Sequence, residues 1–311
     1  MQRISENKII LVVRRTRIDD LIKRFNTLAQ AKFYVEHLGA DFSDYLQEDE
    51  QYKKIQLTAE ACLRGLGHLQ VLDRSFLPNF IFGNQDIIVV LGQDGLVANT
   101  IKYLSGQKVI GVNPDCQRWE GVLLPFQVDD LKNIILDVFA QRRPIKEVTM
   151  AKASLNNGQN LYAVNDLFIG HQSHMSARYE IQLDQYREQH SSSGIIVSTG
   201  LGSTGWFKSV LTGALNISHA FHHQNIESKP IHFAWDADYL YFSVREPFLS
   251  VTSSADLVFG QITMQRPMKL ISQMAENGVI FSDGIEQDFL EFNSGTQAII
   301  SVAEKRGYLV V

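Results

Sequence analysis

Two glycine-rich turns hold the side chains of this sequence best suited to chemistry. The first is Gly92-Gln93-Asp94-Gly95, which follows the apolar run Asp86–Leu91. An aspartate in such a turn can orient a hydroxyl or take its proton. The flanking glycines leave backbone N–H groups open to a phosphate, and a helix start behind them adds unpaired N–H groups and partial positive charge. The second turn is Ser198-Thr199-Gly200-Leu201-Gly202-Ser203-Thr204-Gly205-Trp206, after the strand-like Gly194–Val197. Its three glycines satisfy G-x-G-x-x-G. No alternating βαβ unit follows them, so no dinucleotide fingerprint is assigned. Leu201 also stands where the nucleophile elbow G-x-S-x-G needs its first glycine. Each turn has a plain reading beside the chemical one. Asp94 would then cap a helix in an Asp-Gly turn, and Ser203 or Thr204 would cap a glycine loop.

The elements that must position these turns differ between the two halves of the chain. In the first half, Ile9–Val13, Asp86–Leu91 and Lys108–Asn113 read as short buried strands. Asp19–Leu28, Asp44–Leu72, Leu96–Leu104 and Asp129–Phe139 carry the apolar spacing of helices. Strands alternating with helices imply crossovers, hence a parallel sheet with Asp94 at the edge where ligands bind in such folds. After Gln141-Arg142-Arg143-Pro144 the texture becomes β-rich. Leu161–Ile169, Arg178–Leu183, Gly194–Thr199, Ile231–Trp235, Tyr239–Val244, Met268–Met274, Gly278–Phe281 and Gln297–Val302 are short β-branched or aromatic runs, interrupted by one helix at Trp206–Leu215. The expected fold is α/β: a Rossmann-like parallel-sheet domain over residues 1–143, then a β-rich, β-sandwich-like domain over 144–311. The final segment is expected to pack back on the first domain.

Composition narrows the classes. The chain has 311 residues, 45% hydrophobic and 20% charged, the balance of a globular protein with two domains of ordinary size. A formal net charge of −5 argues against a general nucleic-acid binder. Two cysteines, Cys62 and Cys116, make no disulfide framework and fit a reducing compartment. No apolar stretch is long enough for a signal or a membrane span, so a cytoplasmic location is expected, with no membrane partner.

Taken in order, the motifs resemble those of NAD kinases. That family carries a G-G-D-G turn, an Asn-acid pair, a Gly-Ser-Thr loop and a late Asp-Gly. This chain has Gly92-Gln93-Asp94-Gly95, Asn165-Asp166, Ser198–Trp206 and Asp283-Gly284. Ile110–Asp115, Arg118–Gly121, Phe168-Ile169-Gly170, Tyr179-Glu180-Ile181 and Val244–Pro247 look like the branch found in mitochondria and its bacterial relatives. The resemblance runs from about Ile9 onward.

It implies transfer of the γ-phosphoryl group of ATP to the 2′-hydroxyl of the adenosine ribose of NAD. Asp94 would orient or deprotonate that hydroxyl. Gly92, Gln93, Gly95 and Leu96 would lie at the nucleotide phosphates, and Asn113 beside them. Asn165 and Asp166 would hydrogen-bond the dinucleotide, Thr199, Gly202, Ser203 and Thr204 would contact the nucleotide, Trp206 would line the site, and Asp283 would complete it. Mg²⁺ would arrive on ATP, held by phosphate oxygens without a protein cage. A homodimer is implied by the resemblance alone. Two positions depart from the family pattern. Gln93 replaces a glycine, adding a side chain where a positive φ is then disfavoured, and Leu96 replaces a threonine hydroxyl. They motivate a second reading, a non-catalytic NAD(P)-binding or regulatory protein. A third is a lipid kinase of the diacylglycerol or sphingosine type, which shares the G-G-D-G element.

Other features carry less. His219, His222 and His223 form an H-x-x-H-H cluster with no acidic or cysteine partner at ligand spacing. His171 and His174 read as a polar turn, Phe76–Phe82 as a hydrophobic connection, and Arg142-Arg143 as a solvated face.

Overall fold

The structure, a computed structural model, describes residues 4–222 and 232–311. It divides into two compact units, Met1–Lys146 with Tyr308–Val311, and Glu147–Gly307.

In the first unit the branched apolar runs become a parallel sheet. β1 (Lys8–Val13) lies between β2 (His68–Asp73) and β3 (Ile87–Leu91), and β4 (Lys108–Val112) follows β3. Tyr308 and Leu309 pair in parallel with Lys108 and Val109 on the far side of β4. Every residue of β3 is buried, as expected of a parallel strand covered on both faces. The helices are α1 (Arg17–Phe25), α2 (Leu28–His37), α3 (Ser43–Leu66), α4 (Asp94–Ile101) and α5 (Leu131–Phe139). Ile9, Leu11, Val89 and Ile110 pack on Leu63 of α3 and Ile135 of α5 in one core. A smaller core joins Ile18, Val35 and Phe42 under α1 to α3.

The second unit is antiparallel. Its strands are β5 (Ile145–Leu155), β6 (Asn160–Ala163), β7 (Asp166–His171), β8 (Ala177–Leu183), β9 (Tyr186–Ser192), β10 (Ile195–Ser198), β11 (Tyr239–Val244), β12 (Phe259–Thr263), β13 (Met268–Ser272), β14 (Gly278–Ser282), β15 (Ile285–Glu291) and β16 (Gln297–Val310). One helix, α6 (Trp206–His222), interrupts them. A six-stranded sheet runs β12-β11-β10-β7-β14-β15. The remaining strands run β16-β13-β8-β9, with β5 pairing β16 and β6. Alternate residues such as Leu167, Ile169 and Val197 of the six-stranded sheet meet Tyr179, Ile181 and Leu270 of the other strands in one buried core, so the unit is a β-sandwich. The fold class is α/β, a parallel-sheet domain followed by an antiparallel β domain.

Several expected element boundaries move. The helix expected through Leu72 stops at Leu66, and β2 begins one residue after Gly67. A Cβ on Gly67 would lie 2.5 Å from the Asn7 carbonyl, so the chain turns there on backbone contact. β2 itself is half-exposed, without the buried run that identifies its neighbours. The helix expected over Asp19–Leu28 breaks at Asn26, whose φ of 67° is left-handed, and Thr27 then caps α2. The run Leu161–Ile169 is two strands, β6 and β7, broken at residues 164–165. His232–Trp235 is not a strand, and Ile231 lies outside the described residues. α6 continues past Leu215 to His222. Of the three-histidine cluster, His223 lies outside the described residues.

One buried hydroxyl ties the C-terminal edge of the parallel sheet together. Tyr52 Oη donates to the Leu91 carbonyl at 3.0 Å and accepts from the Arg14 amide at 2.9 Å, joining the ends of β3 and β1. Burial pushes its hydroxyl up to about 12, so it stays a neutral donor. The Arg14 guanidinium lies over the Tyr52 ring and pairs with the buried Glu48 at 2.8 Å. Tyr52→Phe leaves both main-chain groups unpaired in the interior. We expect it to lower unfolding stability by about 1–3 kcal/mol, read as a lower denaturant midpoint at unchanged slope.

Candidate functional site

In the first unit, buried β3 delivers Gly92 to the sheet edge and α4 starts two residues later. Gln93 occupies the N-cap with φ −121° and ψ 163°. This is extended backbone open to any residue, so a side chain at position 93 costs no backbone strain. Asp94 is the first helical residue and not the cap, which corrects the plain reading of that turn. Its carboxylate accepts from the Leu123 amide at 2.7 Å and the Val122 amide at 3.3 Å. Gly95 is exposed with open space around it. Leu96 turns the other way and is buried at 4% exposure. A Cβ on Gly92 would lie 2.8 Å from its methyl carbon, so Leu96 packs over Gly92.

Asn113 shapes the loop that feeds Asp94. Its Nδ2 donates to the Trp119 carbonyl at 2.9 Å, its Oδ1 accepts from the Asp115 amide at 3.0 Å, and its own amide donates to Phe126 at 2.8 Å. The side chain is therefore committed to residues 113–126. Nearby, Arg118 and Arg17 each hold Asp44 at 2.7 Å and pull its carboxyl down to about 2. A wide, polar cavity of about 920 Å³ lies between α3 and this loop, with Gln51, Lys54, Cys116 and Arg118 in its wall.

In the second unit the break between β6 and β7 brings four of the expected residues together. The hairpin joining β14 to β15 turns through Asp283 (φ 54°) and Gly284 (φ 69°), both left-handed. Its carboxylate accepts from the amides of Val164 at 3.1 Å, Asn165 at 2.7 Å and Asp166 at 3.4 Å. On the other side of the break, Thr199 Oγ1 donates to the Val164 and Asn165 carbonyls at 2.5 and 3.1 Å. Asn165 and Asp166 are thus held from two sides with their own side chains partly exposed. Burial, then the Asp283 charge, push the Asp166 carboxyl up to about 7.

The glycines of the Ser198–Trp206 loop serve close packing more than phosphate approach. A Cβ on Gly202 would lie 2.0 Å from the Asn165 carbonyl, and one on Gly200 would lie 1.9 Å from that of Ala234. Ser203 is buried and donates to the Gly200 carbonyl at 2.7 Å. Thr204 is exposed at the mouth of the loop. Trp206 opens α6 and stacks on Phe168, with ring centroids 5.7 Å apart. Phe168 stacks in turn on Phe281 at 4.8 Å, and the Arg245 guanidinium lies 5.4 Å over Trp206. These rings wall a cavity of about 330 Å³ that also takes in His171, His174 and Glu286. His171 Nδ1 holds the Ser173 amide at 3.1 Å, the polar turn expected there. The sequence marks Phe281 only as the end of a strand and Arg245 only within a family-like stretch, because only the β-sandwich brings residues 168, 206, 245 and 281 to one place. Among the described residues no three His, Cys, Asp or Glu side chains cluster to hold a metal. No helix among them is long and apolar enough to cross a membrane.

No family model matches the chain. It is 22% identical over 170 residues to NAD kinase 2 of Geobacillus kaustophilus, covering 53% of this chain and 60% of that protein. It is 28% identical over 126 residues to an NAD kinase of Picrophilus torridus, covering 40% and 45%. The chain thus spans about half the length of the curated relatives it matches. In fold it is similar to an NAD kinase from Archaeoglobus fulgidus in complex with ATP, with a TM-score of 0.54 at 14% identity, over 98% of this chain and 93% of that one. A yeast NADH kinase complexed with NADH gives a TM-score of 0.57 at 13% identity, over 99% and 84%. The chain shares its overall fold with these two structures. It is thus similar to NAD kinases, over part of its length in sequence and over nearly all of it in fold.

Gly202→Ala sets a methyl against a carbonyl that has nowhere to go. We expect a loss of about 1–3 kcal/mol or more, measured by thermal unfolding. Gly213→Ala, inside α6 with open space around it, is the control and should be neutral or slightly stabilising. The Asp166 carboxyl titrates higher folded than unfolded, so its contribution is complete at acid pH and is lost as pH rises through about 7. Unfolding stability should therefore fall between pH 5 and pH 8, by less in Asp166→Asn.

Proposed function

We propose that the chain is an ATP-dependent NAD kinase, forming NADP by phosphorylating the 2′-hydroxyl of the adenosine ribose. The observation that carries this reading is the Asp94 carboxylate, partly exposed in the first turn of α4 at the C-terminal edge of a parallel sheet. In the reaction Asp94 takes the proton of the 2′-hydroxyl as its oxygen attacks the γ-phosphorus. The bond to the β–γ bridging oxygen breaks and ADP leaves. The amides of Gln93 and Gly95, at the start of α4, face the phosphate charge. Mg²⁺ enters on the ATP phosphates, held by their oxygens.

Asn165 and Asp166 hold the dinucleotide through their side chains. Thr199 and Ser203 act behind them, since their hydroxyls already donate to main-chain carbonyls. Thr204 is the exposed hydroxyl of the loop, and Trp206 with Phe168 offers a ring face to a base. The relatives support the reading, as one fold neighbour holds ATP and another holds NADH. A cytoplasmic homodimer, with no nucleic-acid or membrane partner, belongs to the same reading.

A second reading draws on one observation. The Asp94 carboxylate accepts two amides of the 122–123 segment, which would also suit an anchor in a protein that binds NAD(P) without phosphorylating it.

Purified protein incubated with ATP, Mg²⁺ and NAD should yield NADP, followed by a coupled dehydrogenase. Asp94→Asn should lower kcat by about 10²–10⁴ while NAD binding persists. NAD binding with no NADP formation by the unaltered chain would leave the binder, and phosphorylation of a lipid diol in its place would leave the lipid kinase.

A further inference from the structure

Two carboxyl groups meet at the break between β6 and β7, and the structure treats them unequally. Asp283 accepts three main-chain amides, including that of Asp166 itself. Amide donors on both oxygens of this carboxyl favour its ionised form. The hairpin amide of Asp283 in turn donates to the Asp166 carbonyl at 3.0 Å, so the two residues cannot drift apart. The Asp166 carboxyl has neither a donor nor a cation among the described residues.

β10 presents Ser198, opposite Asp166 in the ladder and fully buried. The glycine loop presents Thr199, whose hydroxyl is spent on carbonyls. The β14–β15 hairpin presents Asp283, whose charge acts on Asp166. Glu286 of β15 and Arg245 after β11 line the neighbouring cavity, the guanidinium lying over Trp206 and 3.6 Å from Glu246. Strand alternation sets Asp166 in the row of Phe168, on the aromatic face of the sheet.

We infer that Asp166 meets its ligand as a neutral carboxylic acid, a hydrogen-bond donor to an acceptor atom of the dinucleotide, so that binding is linked to a proton. The inference rests on the reading of the second unit as the dinucleotide-holding one. It identifies the ligand atom facing Asp166 by class: a ring nitrogen or carbonyl oxygen, where an ionised aspartate would select a hydroxyl or amine. Burial and the Asp283 charge beside it both oppose ionisation of Asp166, while Asp283 is already committed to main-chain amides.

Two measurements test it. In the ligand-free chain, the ¹³C carboxyl resonance of Asp166, assigned by its loss in Asp166→Asn, should titrate near neutrality. Titration in the ordinary carboxylate range would overturn the inference without touching the kinase reading. Second, the affinity for NAD, followed by calorimetry from pH 6 to pH 9, should weaken by about tenfold per pH unit above neutral. An affinity flat across that range, with NAD bound, would refute the donor role. No NAD binding at any pH would instead remove the function proposed above, and the resonance titration would still decide the protonation state.

Discussion

Main-chain N–H groups at a break between strands must find acceptors, and at residues 164–166 the acceptor is the Asp283 carboxylate. Much of the second unit's candidate site depends on this contact. It joins the β14–β15 hairpin to the β6–β7 turn and fixes the direction of the Asn165 and Asp166 side chains. It also supplies the negative charge beside which Asp166 must live. Because the contact uses amides, any residue but proline could occupy positions 164 to 166 as far as the anchor is concerned. Only a short acid able to adopt a left-handed φ suits position 283. The first unit uses the same device, with Asp94 holding the amides of Val122 and Leu123.

The glycine loop shows how one composition can answer two demands. Gly200 and Gly202 satisfy a phosphate-binding pattern by spacing, yet each stands where a carbonyl from another segment approaches within about 2 Å of the missing Cβ. The absence of a side chain admits the Asn165 carbonyl, and Thr199 then ties that carbonyl down. What reaches outward is the end of the loop, Thr204 and Trp206. The motif therefore positions the Asn-Asp turn from behind while presenting its last residues to the front.

The legible part of the fold was the part written in continuous apolar runs. β1, β3 and β4 stand within a residue or two of where the runs lie, because strands buried on both faces leave no polar position to blur them. β2, half-exposed, leaves no such run, and its residues read as a continuation of the preceding helix. Among the candidate residues of each unit, Asp94 in the first and Asn165-Asp166, the Gly-Ser-Thr loop and Asp283 in the second are legible because each lies in a short local motif. The commitments of Leu96 to the core and of Asn113 to its own loop are not. Both follow from which way a side chain turns at a helix start or a strand end, and spacing says nothing of that. The Phe168, Trp206, Phe281 and Arg245 cluster is likewise a product of strand pairing over distances of up to 113 residues in sequence, counted from 168 to 281.

The pairing of Tyr308 and Leu309 with β4 has a consequence for how the chain comes to be made. The parallel sheet is encoded by residues 8–112 except for this outermost strip, which is separated from it by the whole β-sandwich. During synthesis from the N-terminus the flank of β4 waits, with its Lys108–Val109 peptide groups unpaired, until some two hundred further residues have been added. An open strand flank of that kind invites pairing with foreign chains. Closure of the first unit is thus a late event in the life of each molecule, and a ribosome that stalls short of residue 308 releases a sheet with a raw edge.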